Sequence, residues 1–409
     1  QLQAEISAFG LIKSALSTFQ TSAKSAGEAS NYQAKAVSIT DYTKMAGTAT
    51  TGAAAGTYDV TVSALAAKQS LASTATYAST SAVVGTGKLT ITSGTTVYNS
   101  GSDTYTSFTQ KSGTSAVDIT IDSSNNTLTG VRDAINASSA NVSASIVYDG
   151  SNYRLVIASN SEGAENSVSI TTDDDDGNDT DTAGLSNLAF NASATNLAQT
   201  QAASDASLTI NGLAVTSSSN TVTTAVDELS FTLKETFSEV ETITVSHDES
   251  QITNTVQGFV DGYNELIDAI DQQTSYDADA QISRTLTGDG TLRALLSEIR
   301  NSLNARVFNP NADHEYLASV GIKTDATTGK FELDSAVLNK AITSDPDDIA
   351  VVFANFAKPN ASNVEFSKAT SATEEGSYTL TASTTTASDG TTTVNYFIDG
   401  VAATLDGNV

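Results

Sequence analysis

Apolar residues recur every three or four positions at the start of the chain, in QLQAEISAFGLIKSALSTFQTSAKSAG, where Leu2, Ile6, Phe9, Ile12, Leu16, Phe19 and Ala23 form one stripe. That period predicts an amphipathic helix ending near Gly27. A second stripe, Ile252, Val256, Phe259, Tyr263, Leu266 and Ile270, predicts a second helix over 250–273. Ser250 is placed to cap it, and Asp248 and Glu249 sit near the positive end of its dipole. Burying each large apolar side chain is worth about 1.5–3 kcal/mol, so neither stripe stays in water. Two outcomes are open for the first. It packs on the chain's own helices, including those predicted in TLRALLSEIRNSLNARVF (Leu292, Leu295, Leu296, Ile299, Leu303) and DSAVLNKAITSDPDDIAVVF, or it extends a coiled coil that pairs with a C-terminal segment or another subunit.

Between these flanks the period changes from 3.6 to 2. GTYDVTVSAL alternates Tyr58, Val60 and Val62, and LTIT follows at 89–92. In GVRDAINASS a short helix presents Val131 and Ile135. VSASIVYDGSNYRLVIAS then predicts two strands joined at Asp149-Gly150-Ser151-Asn152, with Val142, Ala144, Ile146 and Tyr148 on one side and Leu155 and Ile157 paired with them. In SLTINGLAVTSS the pairs Leu208, Ile210 and Leu213, Val215 flank Asn211-Gly212, a dipeptide suited to the two positive φ angles of a type I′ hairpin. SFTLKET and ETITVS add two more strands. Residues 57–249 therefore read as mainly antiparallel sheet. Residues 93–199 stand apart, rich in Ser, Thr, Asn and Gly and carrying the acidic run DDDDGNDTD, as a domain inserted into a split β domain of 57–92 and 200–249.

Length agrees with several domains: 409 residues hold two to four at about 100–200 residues each. Hydrophobic residues make up only 39% of the chain, which points to thin cores of small side chains rather than large enclosed pockets. Lys plus Arg total 19 against 47 Asp plus Glu, a net charge of −28 that repels phosphate backbones and anionic headgroups. Neither nucleic acid nor a membrane is an expected partner. With charged residues at only 16%, the acidity reads as solubility rather than disorder. The chain has no Cys, which removes disulfides, thiolate metal sites and cysteine nucleophiles. No apolar run approaches the roughly 20 residues that cross a bilayer. The start at Gln1 suggests that the native start lies upstream, and the end, LDGNV, reads as a strand pattern stopping at a turn.

Catalytic readings can be tested nearly exhaustively, because there are two His. His247 in TVSHDES falls at a strand-to-helix junction and reads as an exposed loop residue. His314 precedes Glu315, but Ala318 stands where a zinc-protease motif needs its second His. No Gly-x-Ser-x-Gly elbow seats a nucleophile. GTGKLT at 85–90 lacks the first Gly of a phosphate loop, with Ala82 in its place, and has Leu89 where a hydroxyl would hold magnesium; it reads as a turn feeding a strand. Aligned on Gly177, the acidic run puts Thr172 and Ala183 at the first and twelfth positions of a calcium loop, so it reads as a solvated acidic loop. Paired carboxylates for glycoside cleavage gain little support from a chain with no Trp and 6% aromatics. No catalytic residue, cofactor or metal is assigned, and the chain reads as a non-enzyme.

The order of the pieces is more specific than any one of them. GTYDVTVSALAAKQSLAS, VGTGKLTI, TLTGVRDAINASSANVSASIVYDGSNYRLVIASNSEGAENSVSI and LTINGLAVTSSSNTVTTAVDELSFTLKE together resemble the flagellar filament capping family, also called flagellar hook-associated protein 2. Val131 to Ile170 resembles that family's hook IN motif. TVSHDESQITNTVQGFVDGYNELIDAI, LTGDGTLRALLSEIRNSL and YLASVGIKTDATTGKFELDSAVLNKAITSDPDDIAVVFANF resemble its C-terminal half. The resemblance implies an α+β, multidomain fold: two mainly antiparallel β domains, one inserted in the other, enclosed by a helical/α+β domain of helices and strands built from 1–56 and 250–409. The terminal coiled coil is expected as a stump at 1–26. It also implies a homo-oligomeric ring at the distal tip of the bacterial flagellum, outside the cell and exported through the flagellar channel. Such a ring promotes flagellin folding and insertion, next to hook–filament junction proteins. Leu2, Ile6, Phe9, Ile12, Leu16 and Phe19 are the expected self-assembly residues. The alternative is a surface adhesin or exposed flagellar exterior domain recognising host glycans or mucin through 93–199. Excising 93–199 separates the two: motility retained with attachment lost favours recognition.

Overall fold

Side-chain spacing at the two ends of the chain produces the helices. In the computed structural model, which describes residues 2–99, 101–102, 104–277, 282–307, 314–354, 364, 373, 376–386 and 392–403, they are α1 (Leu2–Ala26), α2 (Ser30–Gln33), α3 (Leu128–Ala137), α4 (Glu249–Thr274), α5 (Gly290–Leu303), α6 (Ser335–Ser344) and α7 (Pro346–Phe353). The fold is α+β and multidomain. The chain divides into two units, residues 1–34 with 247–409 and residues 35–246.

In the first unit α1 lies along α4. Ala8, Ile12 and Phe19 of α1 and Ile252, Val256, Phe259, Tyr263, Leu266 and Ile270 of α4 share one core with Ile322, Phe331, Leu338, Ile342 and Ile349. Phe19 meets the rings of Phe259 and Tyr263, each at 5.7 Å between centroids. Tyr263 stacks on Phe331 at 3.9 Å and donates to the Gly329 carbonyl. The Asn264 amide clasps the same hairpin, donating to the Phe331 carbonyl at 2.9 Å and accepting from its N–H at 2.7 Å. Of the two outcomes open for α1, packing on the chain's own helices accounts for its face at Ala8, Ile12, Phe19 and Ala26. α5 is attached more lightly, with Leu292 buried and Leu296, Ile299 and Leu303 partly so. The LDGNV end lies outside the described residues.

Acidic residues do more here than keep the chain in solution. Asp248, not Ser250, caps α4 by accepting from Gln251 N–H at 2.9 Å. Asp289 caps α5, Asp334 caps α6 and Asp345 caps α7 ahead of Pro346. The Val337 N–H, and then Lys323, hold the Asp334 carboxyl below its ordinary range. Asp325 is lowered by Thr328, and Asp149 by the N–H groups of Asn152 and Ser151 with help from Arg154. A carboxyl whose native pKa is depressed stabilises the fold above its unfolded value, and that stabilisation is lost as pH falls through the native value. The calorimetric midpoint is therefore expected to fall once pH drops below about 4, with a shallower fall in Asp334→Asn; a midpoint that rises on acidification would contradict this.

The second unit holds two β bodies with separate cores. In one, a five-stranded sheet runs in the order 35–39, 237–247, 56–64, 206–210, 213–217, beside a three-stranded sheet of 221–226, 229–233 and 45–49. Val60, Val62, Leu208, Ile210, Phe231 and Ile243 fill its core. Asn211 (φ 49°) and Gly212 (φ 80°) make the expected hairpin turn, pairing Ile210 with Leu213 and Leu208 with Val215. Leu213, the first residue of edge strand 213–217, is exposed.

In the other body, strands 197–201, 70–73, 153–159 and 142–148 form one sheet, and 167–174, 87–99 and 104–110 form another with 117–121 paired to 87–99. α3 buries Leu128, Val131 and Ile135 completely. Asn136 ties it to the neighbouring strand, donating to the Ala144 carbonyl at 2.9 Å and accepting from its N–H at 2.7 Å. Ala144 pairs with Ile157 and Ile146 with Leu155, while Tyr148 is exposed at the strand's end. The domain edges differ from those read in the sequence. Strands 35–39 and 45–49, assigned to the helical end piece, pair with 237–247 and 229–233. Strands 70–73 and 87–99, assigned largely to the split β domain, belong to the inserted body. Partners far along the chain decide these edges, and local period carries no record of them.

Candidate assembly surfaces

The residues once in reach of chemistry turn out to be occupied by the fold. Gly85 and Gly87 are backed so closely by the Leu185 N–H and the Asp173 carbonyl that a side chain would collide. GTGKLT is thus a tight entry to strand 87–99, as expected. In the acidic run, Asp174 is buried and accepts from Ser186 N–H at 2.8 Å and Ser186 Oγ at 3.1 Å. Asp176 and Asp181 accept from Asn178 N–H and Ala183 N–H. Asp174 and the half-buried Asp181 apart, the run is exposed, as the solvated loop read from the sequence requires, and its turns are closed by these bonds. Among the described residues no group of three or more His, Cys, Asp and Glu could hold a metal. A site filled a hundredfold over its Kd would add about 2.7 kcal/mol, so the unfolding midpoint is expected to stay put between calcium and chelator; a shift of several degrees would establish a site. His247 ends strand 237–247 beside α4 and is half-buried rather than exposed. Among the described residues no helix is long and apolar enough to cross a membrane.

The six stripe residues of α1 separate into two groups. Ile12 is 3% exposed and Phe19 7%, and Leu16 packs at the edge of the same core. Leu2 is 71% exposed, Ile6 57% and Phe9 40%; they flank the buried face rather than continue it, since Ala8, between Ile6 and Phe9, is 3% exposed. An apolar seam thus runs along the flank of the chain's own core at Leu2, Ile6 and Phe9, without a cover among the described residues. α1 carries only Glu5, Lys13 and Lys24 as charged residues, so this end is nearly neutral on a chain of net charge −28.

Three family models match the chain in order: flagellar hook-associated protein 2 N-terminus over 1–69, flagellin hook IN motif over 107–161, and flagellar hook-associated protein 2 C-terminus over 203–402. The B-type flagellar hook-associated protein 2 of Pseudomonas aeruginosa is 33% identical over 364 residues, 85% of this chain and 72% of that protein. The chain belongs to the flagellar hook-associated protein 2 family. The Escherichia coli K12 member is 30% identical over 365 residues, 87% of this chain and 73% of that one. The solved D1-D2-D3 domains of the Escherichia coli flagellar cap protein FliD superpose with a TM-score of 0.69 at 31% identity, covering 84% of this chain and 89% of that structure. Hook-associated protein 2 is a structural family and not an enzyme family. Its hook IN match, 107–161, begins earlier and ends earlier than the Val131 to Ile170 stretch read from the sequence, taking in the end of strand 104–110 and all of strand 117–121, which precede α3.

Proposed function

We propose that this chain caps the distal tip of a bacterial flagellum as a ring of identical copies. In this reading it is exported through the flagellar channel and works outside the cell, next to hook–filament junction proteins. Flagellin emerging beneath the ring folds and inserts in the space it shelters. Membership of the hook-associated protein 2 family supports the reading, and the observation that carries self-assembly is the α1 seam, buried at Ile12 and Phe19 and open at Leu2, Ile6 and Phe9. A head-to-tail contact that closes into a ring needs one patch to meet a different patch on the next copy. The uncovered, nearly neutral end of α1 supplies one such patch.

Deleting the gene in its source cell is expected to give absent or short filaments with flagellin monomer in the medium. Filaments of normal length with no monomer in the medium would overturn the reading. Charge adds a second expectation. Copies at −28 repel, and the screening length falls from about 30 Å at 0.01 M salt to about 8 Å at 0.15 M. Light scattering should therefore show association strengthening with salt; an apolar seam is not weakened by screening, whereas an ion-paired contact would be.

A further inference from the structure

The two β bodies of residues 35–246 share no core residue, and the chain passes between them at 67–69 and 202–205. These crossings pair once, Ala67 N–H to the Ser204 carbonyl at 2.8 Å and Ser204 N–H to the Ala67 carbonyl at 3.1 Å. Two strands joined by one bridge make a hinge, and something else must brace it. The brace is Glu162, in the loop after strand 153–159 of the inserted body. Its carboxylate accepts from Asn220 N–H at 2.5 Å, Asn220 Nδ2 at 2.7 Å and Ser219 Oγ at 2.8 Å, all in the loop between strands 213–217 and 221–226 of the other body. Asn220 in turn grips the residue just before the first crossing, accepting from Ala66 N–H at 2.8 Å and donating to the Ala66 carbonyl at 2.9 Å. Gly163, at φ 100°, lets this loop lie flat on its target, since a Cβ there would sit 2.5 Å from the Ser218 carbonyl. Ala164 N–H reaches Asp205 on the second crossing at 2.7 Å.

We infer that the Glu162 carboxylate is a latch that fixes the angle between the two β bodies, with Asn220 as its keeper and Gly163 as the clearance it needs. Charge-assisted bonds to three donors hold both direction and distance, which a single bridge between crossings cannot. If the chain assembles as proposed, that angle decides whether successive copies close into a ring or run into an open spiral. The latch itself needs no particular role for the chain and is tested on isolated protein.

The chain has no Cys, so Ser151→Cys on the inserted body and Thr224→Cys on the other, both exposed, accept spin labels without background. Pulsed electron paramagnetic resonance is expected to give one narrow distance peak in the parent, broadened about twofold or more in Glu162→Ala. Glu162→Gln, which keeps length and one acceptor, should fall between. Gly163→Val, which keeps the carboxylate but wedges the loop off Ser218, should move or broaden the peak as well. Hydrogen exchange at Leu155 and Phe231 checks that both cores remain folded. A peak of parental width in Glu162→Ala and Glu162→Gln would overturn the latch, as would broadening that appears only together with loss of core protection in all three variants.

Discussion

A chain carrying Leu2→Glu, Ile6→Glu and Phe9→Glu is expected to remain monomeric where the parent associates, with its unfolding midpoint unchanged. The three side chains are 71%, 57% and 40% exposed and contribute little to the intrachain core, which begins at Ala8 and Ile12. If another copy covers them, each contributes about 1.5–3 kcal/mol. Losing all three then costs about 4.5–9 kcal/mol, a weakening of at least about a thousandfold. Light scattering over a concentration series at physiological salt reads the result. Association equal to the parent's would remove α1 from the interface, and the seam would have to be explained otherwise. The matching substitutions at Ile12 and Phe19 are controls of opposite sign, expected to unfold the helical unit, because those positions are packed.

Tyr263→Ala should produce the largest loss of stability from a single change. Tyr263 is completely buried, stacked on Phe331 and edge-on to Phe19, with its hydroxyl bonded to the Gly329 carbonyl. Removing a buried ring of that size costs about 3–5 kcal/mol, roughly 10 °C of midpoint in a unit of this size. Tyr263→Phe should cost only about 1 kcal/mol. Hydrogen exchange along α4 separates loss of this unit from effects elsewhere. If the Ala variant melts with the parent, the α1–α4 core is not what holds the unit together.

Much of the local architecture was readable from side-chain order. A stripe at 3.6 residues has one apolar face whatever it packs against, so α1, α3 and α4 follow from it, as does the Asn211-Gly212 hairpin, whose turn geometry is a property of two residues. The alternation around Val142 to Ile157 likewise defined a two-strand unit with α3 laid on it. Family resemblance was legible for a related reason: it rests on the order of such units, and order survives when individual residues change. The caps were less legible, since Ser250, Asp248 and Glu249 all suit a helix start and only backbone direction selected Asp248.

What tertiary structure decided were the long-range partners and the fate of a surface. Lys35–Ile39 joins a sheet with Phe237–His247, and Glu162 reaches Asn220, across chain separations at which local pattern says nothing. Nothing in SEGAEN distinguishes Glu162 from Glu165; one meets three donors in the other β body, and the other pairs with Lys111 at 2.7 Å. The stripe on α1 shows the division most clearly. Leu2, Ile6 and Phe9 repeat the spacing of Ile12, Leu16 and Phe19, so sequence assigns all six to one contact. Where the stripe faces α4 and its neighbours it is core, and where it turns to their flank it is a surface, as exposed Ile6 and Phe9 on either side of buried Ala8 show. Period determines which side of a helix is apolar, but only the packed neighbours determine how much of that side is already spent.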